Sequence, residues 1–133
     1  LTYSFLDTLN ISTDILNSSQ SKKDFDLLVN YVQQKNIPLS IILIPFGNPE
    51  TIEKHFSTRA KETIIFMEQY TKNLCIQYGA ECLDVSEKFK GSYYDDLIHI
   101  KSKEANQVML TEIEHWIETM KSTSESQLTP FSK

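Results

Sequence analysis

The chain has 133 residues, a formal net charge of −5, 40% hydrophobic residues and 23% charged residues. That balance suits a single globular domain and excludes a largely disordered chain. It also excludes the basic field that a nucleic-acid or anionic-membrane partner needs, and the longest apolar run, Ile41 to Ile44, is far too short to span a bilayer.

Thr2 to Leu6 reads as a short strand, with Tyr3 and Phe5 on one face. Asp7 to Ser21 is rich in Ser, Thr, Asn and Asp and reads as a loop. Ser21 is placed to cap a helix from Lys22 to Lys35, on which Phe25, Leu28, Val29 and Val32 repeat at helical spacing. Asn36 supplies a left-handed stop, and Pro38 prevents continuation. Leu39 to Ile44 is β-branched and nearly all apolar, as in a parallel strand covered on both faces.

Pro45 ends that strand, and Phe46-Gly47-Asn48-Pro49 makes a turn. Ser57 to Tyr78 carries a long helical pattern through Ala60, Ile64, Met67, Leu74 and Cys75, closed by Gly79. Glu81 to Val85 is a third short strand, and Lys90 to Asp96 a loop. The last helix runs from Lys103 to Met120, with Met109, Ile113, Trp116, Ile117 and Met120 as its apolar face. Cys75 and Cys82 flank the Gly79 turn; a disulfide between them is conceivable, but two buried thiols are the simpler reading.

Strand and helix alternate three times, which points to an α/β three-layer sandwich with a parallel sheet, flavodoxin-like in outline. Three strands are fewer than doubly wound domains carry, and the chain starts at Leu1 rather than Met. The sheet is therefore expected to be incomplete at its N-terminus. Residues 1–120 form this portion of the domain, and residues 121–133 a flexible polar tail. The compartment is left open.

Active sites of open parallel sheets gather beyond the strands' carboxyl ends, here in Phe46 to Phe56 and Ser86 to His99. The second loop holds Tyr93-Tyr94-Asp95-Asp96-Leu97-Ile98-His99, the densest set of functional groups in the chain. Asp96 and His99 are three apart, so one tight turn can bring them together. A carboxylate beside an imidazole fixes its tautomer and stabilises the imidazolium. Tyr93, Tyr94 and Asn48 are the candidate substrate contacts. His55 and His115 read as solvent-exposed and Trp116 as core. Asp95, Asp96, His99 and His55 match no ligand motif, and neither a metal nor another cofactor is expected.

From Asp24 to Ile117 the order of elements resembles the SGNH (GDSL) hydrolase family. The resemblance rests on Ile41-Ile42-Leu43-Ile44-Pro45, Tyr78-Gly79, Leu83-Asp84-Val85 and the Asp96-Leu97-Ile98-His99 block ahead of the closing helix. The final stretch is also similar to envelope acyl-transfer proteins of the teichoic-acid D-alanylation type. The resemblance implies His99 as general base, Asp96 as the residue orienting it, and a small-molecule or glycan acyl ester as substrate. The family's Gly-Asp-Ser nucleophile block and Gly-x-Asn-Asp block do not occur here; Leu9 to Asp14 stands where the latter belongs. Glu104 stands where the family has a glycine. The expected function is thus ester hydrolysis or O-acyl transfer with a serine outside this chain, on a missing N-terminal part of the same protein. The alternative is a non-catalytic α/β binding or scaffold module with a relic Asp–His pair. A flavodoxin-like regulatory domain that happens to carry Asp-x-x-His is the third reading.

Overall fold

The computed structural model describes residues 5–95 and 99–128. The elements are α1 (Phe5–Thr8), α2 (Thr13–Ser18), α3 (Gln20–Gln34), β1 (Ser40–Leu43), α4 (Pro49–His55), α5 (Thr58–Tyr78), β2 (Glu81–Asp84) and α6 (Lys103–Leu128). Short 3-10 turns at Ser86–Lys88 and Gly91–Tyr93 link β2 to α6. Most of the described residues are helical, and the described sheet has two parallel strands. Their register pairs Ser40 with Glu81 and Leu43 with Asp84. The parallel pairing holds, but with two strands rather than the expected three among the described residues, and a three-layer sandwich is not what these residues form by themselves.

Several boundaries differ from expectation for identifiable reasons. Phe5 and Leu6 are helical rather than extended, and residues 2–4 of the expected strand lie outside the described residues. Leu6 is buried with Phe56, Ala60 and Ile64, so docking on α5 outweighs the local β-propensity. The expected loop at Asp7 to Ser21 contains α2, because Ser12 accepts a hydrogen bond from the Ile15 amide and caps it. Ser19, not Ser21, caps α3 through the Lys22 amide. Leu28, assigned by spacing to the buried face of α3, is exposed, whereas Val29 is buried. α6 continues through the first part of the expected tail to Leu128.

Helix ends are closed as the sequence anticipates. Asn36 is left-handed at φ 54°, and Ile37 donates to the Val32 carbonyl. Gly79 is left-handed at φ 64°, and Ala80 donates to the Cys75 carbonyl. This sharp stop turns the chain from α5 directly into β2. The free-thiol reading of the cysteines gives way here: Cys75 and Cys82 are disulfide-bonded, with their Cα atoms 6.0 Å apart. The bond pins the last turn of α5 to the second residue of β2.

The buried residues fall into two groups. One joins Leu6, Phe56, Ala60 and Ile64 around the first half of α5. The other joins Val85, Phe89, Tyr94 and Ala105 beyond the end of β2, with Ile42 of β1 against it. Much apolar surface stays in solvent, including Leu27 at 69% and Ile76 at 76% exposure. Among the described residues no helix is long and apolar enough to cross a membrane.

The disulfide closes a loop with a sequence separation of 7, and loop-closure entropy assigns it about 2 to 3 kcal/mol. Cys82→Ser is expected to lower the urea-unfolding free energy by that amount. Without reductant, neither cysteine of the native chain should react with iodoacetamide after denaturation. Ready labelling of both would contradict the bond.

Candidate functional site

Because β1 and β2 are parallel, the loops leaving them emerge at the same end of the sheet. The loop after β1 holds Asn48, the N-cap of α4. Its Oδ1 accepts hydrogen bonds from the amides of Glu50 and Thr51, at 3.0 and 3.3 Å. Pro49 follows at the first helical position, where its missing N–H costs nothing. That cap is the reason Pro49–His55 is helix rather than open loop.

Asn48 also reaches across to the other loop, its Nδ2 donating to the Gly91 carbonyl at 3.3 Å. A Cβ on Gly91 would lie 2.7 Å from Glu50 Cδ and 3.0 Å from Asn48 Oδ1, so any larger residue there would have to displace the Glu50 carboxylate. Asn48 thus makes three hydrogen bonds within the protein, two through Oδ1 and one through Nδ2. The sequence marked it as a substrate contact; the structure uses it to tie the two loops together.

Beyond Gly91 the chain forms a narrow hairpin. Tyr94 and Ile100 make an antiparallel bridge. The Asp95 amide donates to the His99 carbonyl at 2.8 Å, and the Lys101 amide to the Tyr93 carbonyl at 3.1 Å. Asp95 and Lys101 form an ion pair at 3.6 Å. Asp96, expected to orient His99, lies outside the described residues. Extended chains alternate their side chains, which accounts for what is seen: Tyr94 turns inward at 5% exposure, while Asp95 and His99 are exposed.

Tyr93 and Tyr94 anchor this hairpin. Their rings pack edge-on against Phe89, at centroid distances of 6.0 and 6.2 Å, and Val85 and Ala105 complete the cluster. Tyr94 is part of the core beneath the hairpin, and Tyr93 is half-buried beside it. The Tyr94 hydroxyl is buried with no hydrogen-bond partner among the described residues. Burial, with the Glu68 carboxylate adding to it, pushes its phenol up to about 12.

A cleft of about 290 Å³ opens between the carboxyl end of β1 and the middle of α5. Ile42, Leu43, Ile44, Phe46 and Met67 form its apolar wall; Glu68, Thr71, Lys72, Asp84 and Ser86 form its polar side. Glu68 accepts the Phe46 amide at 3.3 Å, and Lys72 pairs with Asp84 at 3.1 Å. Asp84 accepts both the amide and the hydroxyl of Ser86. That hydroxyl, then the Ser86 amide and Lys72, outweigh desolvation and hold the Asp84 carboxyl below the usual range. Sequence reasoning passed over this group. The available signal was two opposite charges, Glu68 and Lys72, at i, i+4 beside the apolar stripe of α5, with an acid closing β2.

His55 is exposed in the last turn of α4, His115 is exposed on α6, and Trp116 is half-buried. Among the described residues no three His, Cys, Asp or Glu side chains converge as a metal site.

An orphaned buried hydroxyl costs about 1 to 3 kcal/mol, so Tyr94→Phe is expected to raise stability by about 1 kcal/mol in urea unfolding. Folding raises the Tyr94 phenol from 10 to about 12. Its neutral form therefore stabilises the native chain fully below pH 10, and that contribution is lost as the pH climbs toward 12. The variant should lack this alkaline loss. Destabilisation by Tyr94→Phe would show that the hydroxyl is bonded in solution.

Comparison of the chain with protein-family models, with curated proteins and with solved structures finds no match.

Proposed function

We propose that this chain is part of a three-layer α/β domain of the SGNH kind and supplies the proton-transfer half of an acyl-transfer site. The observation that carries the reading is the hairpin at the carboxyl side of the sheet. It holds His99 exposed, and Asp96 precedes His99 by three residues in the sequence. An imidazole at that place has access to solvent and substrate, and the Tyr93–Tyr94 anchor restrains the backbone that carries it. The exposed apolar residues of α3 and α5, Leu27, Leu28, Tyr31, Ile65 and Ile76, supply surface for further elements of such a domain.

In this scheme a serine from outside the 133 residues attacks the carbonyl carbon of an acyl ester. His99 accepts the serine proton and returns it to the departing alcohol, leaving an acyl-serine. Water or a second alcohol then attacks, again giving its proton to His99, and the serine is regenerated. Asp96 holds the ring in the tautomer that can accept a proton and stabilises the imidazolium. The reaction needs no cofactor. A non-catalytic scaffold is the second reading, favoured by the commitment of Asn48 and Tyr94 to structural roles.

The three histidines provide an internally controlled test. In the intact protein, His99→Gln is expected to slow hydrolysis of 4-nitrophenyl acetate by about 10²- to 10⁴-fold, the range general-base catalysis spans. His55→Gln and His115→Gln should leave the rate within twofold or so of the parent. Equal rates for all three variants would sink the acyl-transfer reading.

A further inference from the structure

We infer that the cleft between β1 and α5 binds an uncharged alkyl or acyl chain and rejects the same chain carrying a carboxylate. The occupant is named as an acyl chain on the strength of the acyl-transfer reading, whereas the cleft and its charge selectivity rest on geometry alone. The cleft lies at the carboxyl end of a parallel pair, where ligands of open sheets collect. Its volume of about 290 Å³ has room for about ten non-hydrogen atoms at roughly 30 Å³ each. That is the size of a short or medium acyl chain.

The wall chemistry fixes what kind of body enters. Ile42, Ile44, Phe46 and Met67 line it with apolar side chains, so a polar body would lose its water with little compensation. Selectivity for the head comes from the other side. Lys72 is already paired with Asp84, and Asp84 is held ionised by the Ser86 hydroxyl and amide. Glu68 accepts the Phe46 amide, and among the described residues it forms no ion pair. Two carboxylates against one ammonium leave a net charge of −1 at the opening. An ester, an alcohol or an amine meets no penalty there, whereas a carboxylate meets like charge at short range. For an acyl-transfer site the consequence is directional: the neutral ester is held, and an ionised acid product is expelled.

The test uses hexan-1-ol and hexanoate as matched probes, titrated into the intact protein at pH 7 and followed by backbone amide and methyl NMR shifts. Hexan-1-ol is expected to shift Ile42, Ile44 and Met67 with an affinity at least tenfold above that of hexanoate. Glu68→Gln, which keeps an acceptor for the Phe46 amide, should narrow the gap to under threefold. Thr71→Trp should block both probes, with Ile44→Phe as a second filling variant should the first disturb the fold. Equal affinities, a preference for hexanoate, shifts located elsewhere, or no binding of either probe would overturn the inference. Selective binding of hexan-1-ol in a protein whose ester hydrolysis is indifferent to His99 would retain the cleft and discard the catalytic reading. Loss of the cleft with His99-dependent hydrolysis intact would do the reverse.

Discussion

Parallel pairing of β1 with β2 forces the chain to travel back along α5 before the second strand can begin, and the other features follow from that return. Four strand residues span about 13 Å, whereas the 21 residues of α5 span about 32 Å. The helix therefore overhangs the sheet. Gly79 and the Cys75–Cys82 bond fix its C-terminal end against β2, so the surplus length projects past the carboxyl ends of the strands. That overhang explains why the buried residues divide into two groups. Leu6 and Phe56 pack on the projecting turns at Ala60 and Ile64, while Val85, Phe89, Tyr94 and Ala105 gather at the strand end. Between the two groups, beside Met67 and Glu68, the cleft is left open.

The same constraint brings the two chemically interesting loops together. A register that pairs Leu43 with Asp84 launches both loops from one edge of the sheet. The Asn48–Gly91 bond then joins them, and a methyl group on Gly91 would press on the Glu50 carboxylate and crowd Asn48. The hairpin carrying His99 is clamped from beneath by Tyr93 and Tyr94. One side of it is thus buried for stability and the other presented to solvent, the division of labour expected of a reactive loop on a rigid support.

The long-period signals in the sequence were legible in part: the stripe of α5, the left-handed stops at Asn36 and Gly79, and the parallel pairing across an intervening helix appear as read, whereas β1 is half-buried rather than covered on both faces. Short-range signals were not. Leu6 has the local character of a strand residue but is drawn into a helix by a hydrophobic contact some fifty residues away, which no local window contains. The helix-capping role of Asn48 was not read from the sequence, since it depends on Glu50 and Thr51 turning back toward it. The disulfide was undecidable from spacing, since only the tight Gly79 turn brings the two Cα atoms to 6.0 Å. The Glu68–Lys72–Asp84 group was legible only in part: Glu68 and Lys72 share one face of α5, but Asp84 joins them only when β2 packs beside that helix.

The account stands most directly on the relation between Asp96 and His99, and the ring nitrogens of His99 report it. Long-range ¹⁵N–¹H correlation spectra above the range of imidazole protonation would show which nitrogen carries the proton, with His55 and His115 as exposed references in the same spectrum. The account predicts that His99 carries its proton on Nδ1, directed at Asp96, and that Asp96→Asn returns it to the tautomer mixture of His55 and His115. A His99 ring already indistinguishable from the other two, and unmoved by Asp96→Asn, would contradict it.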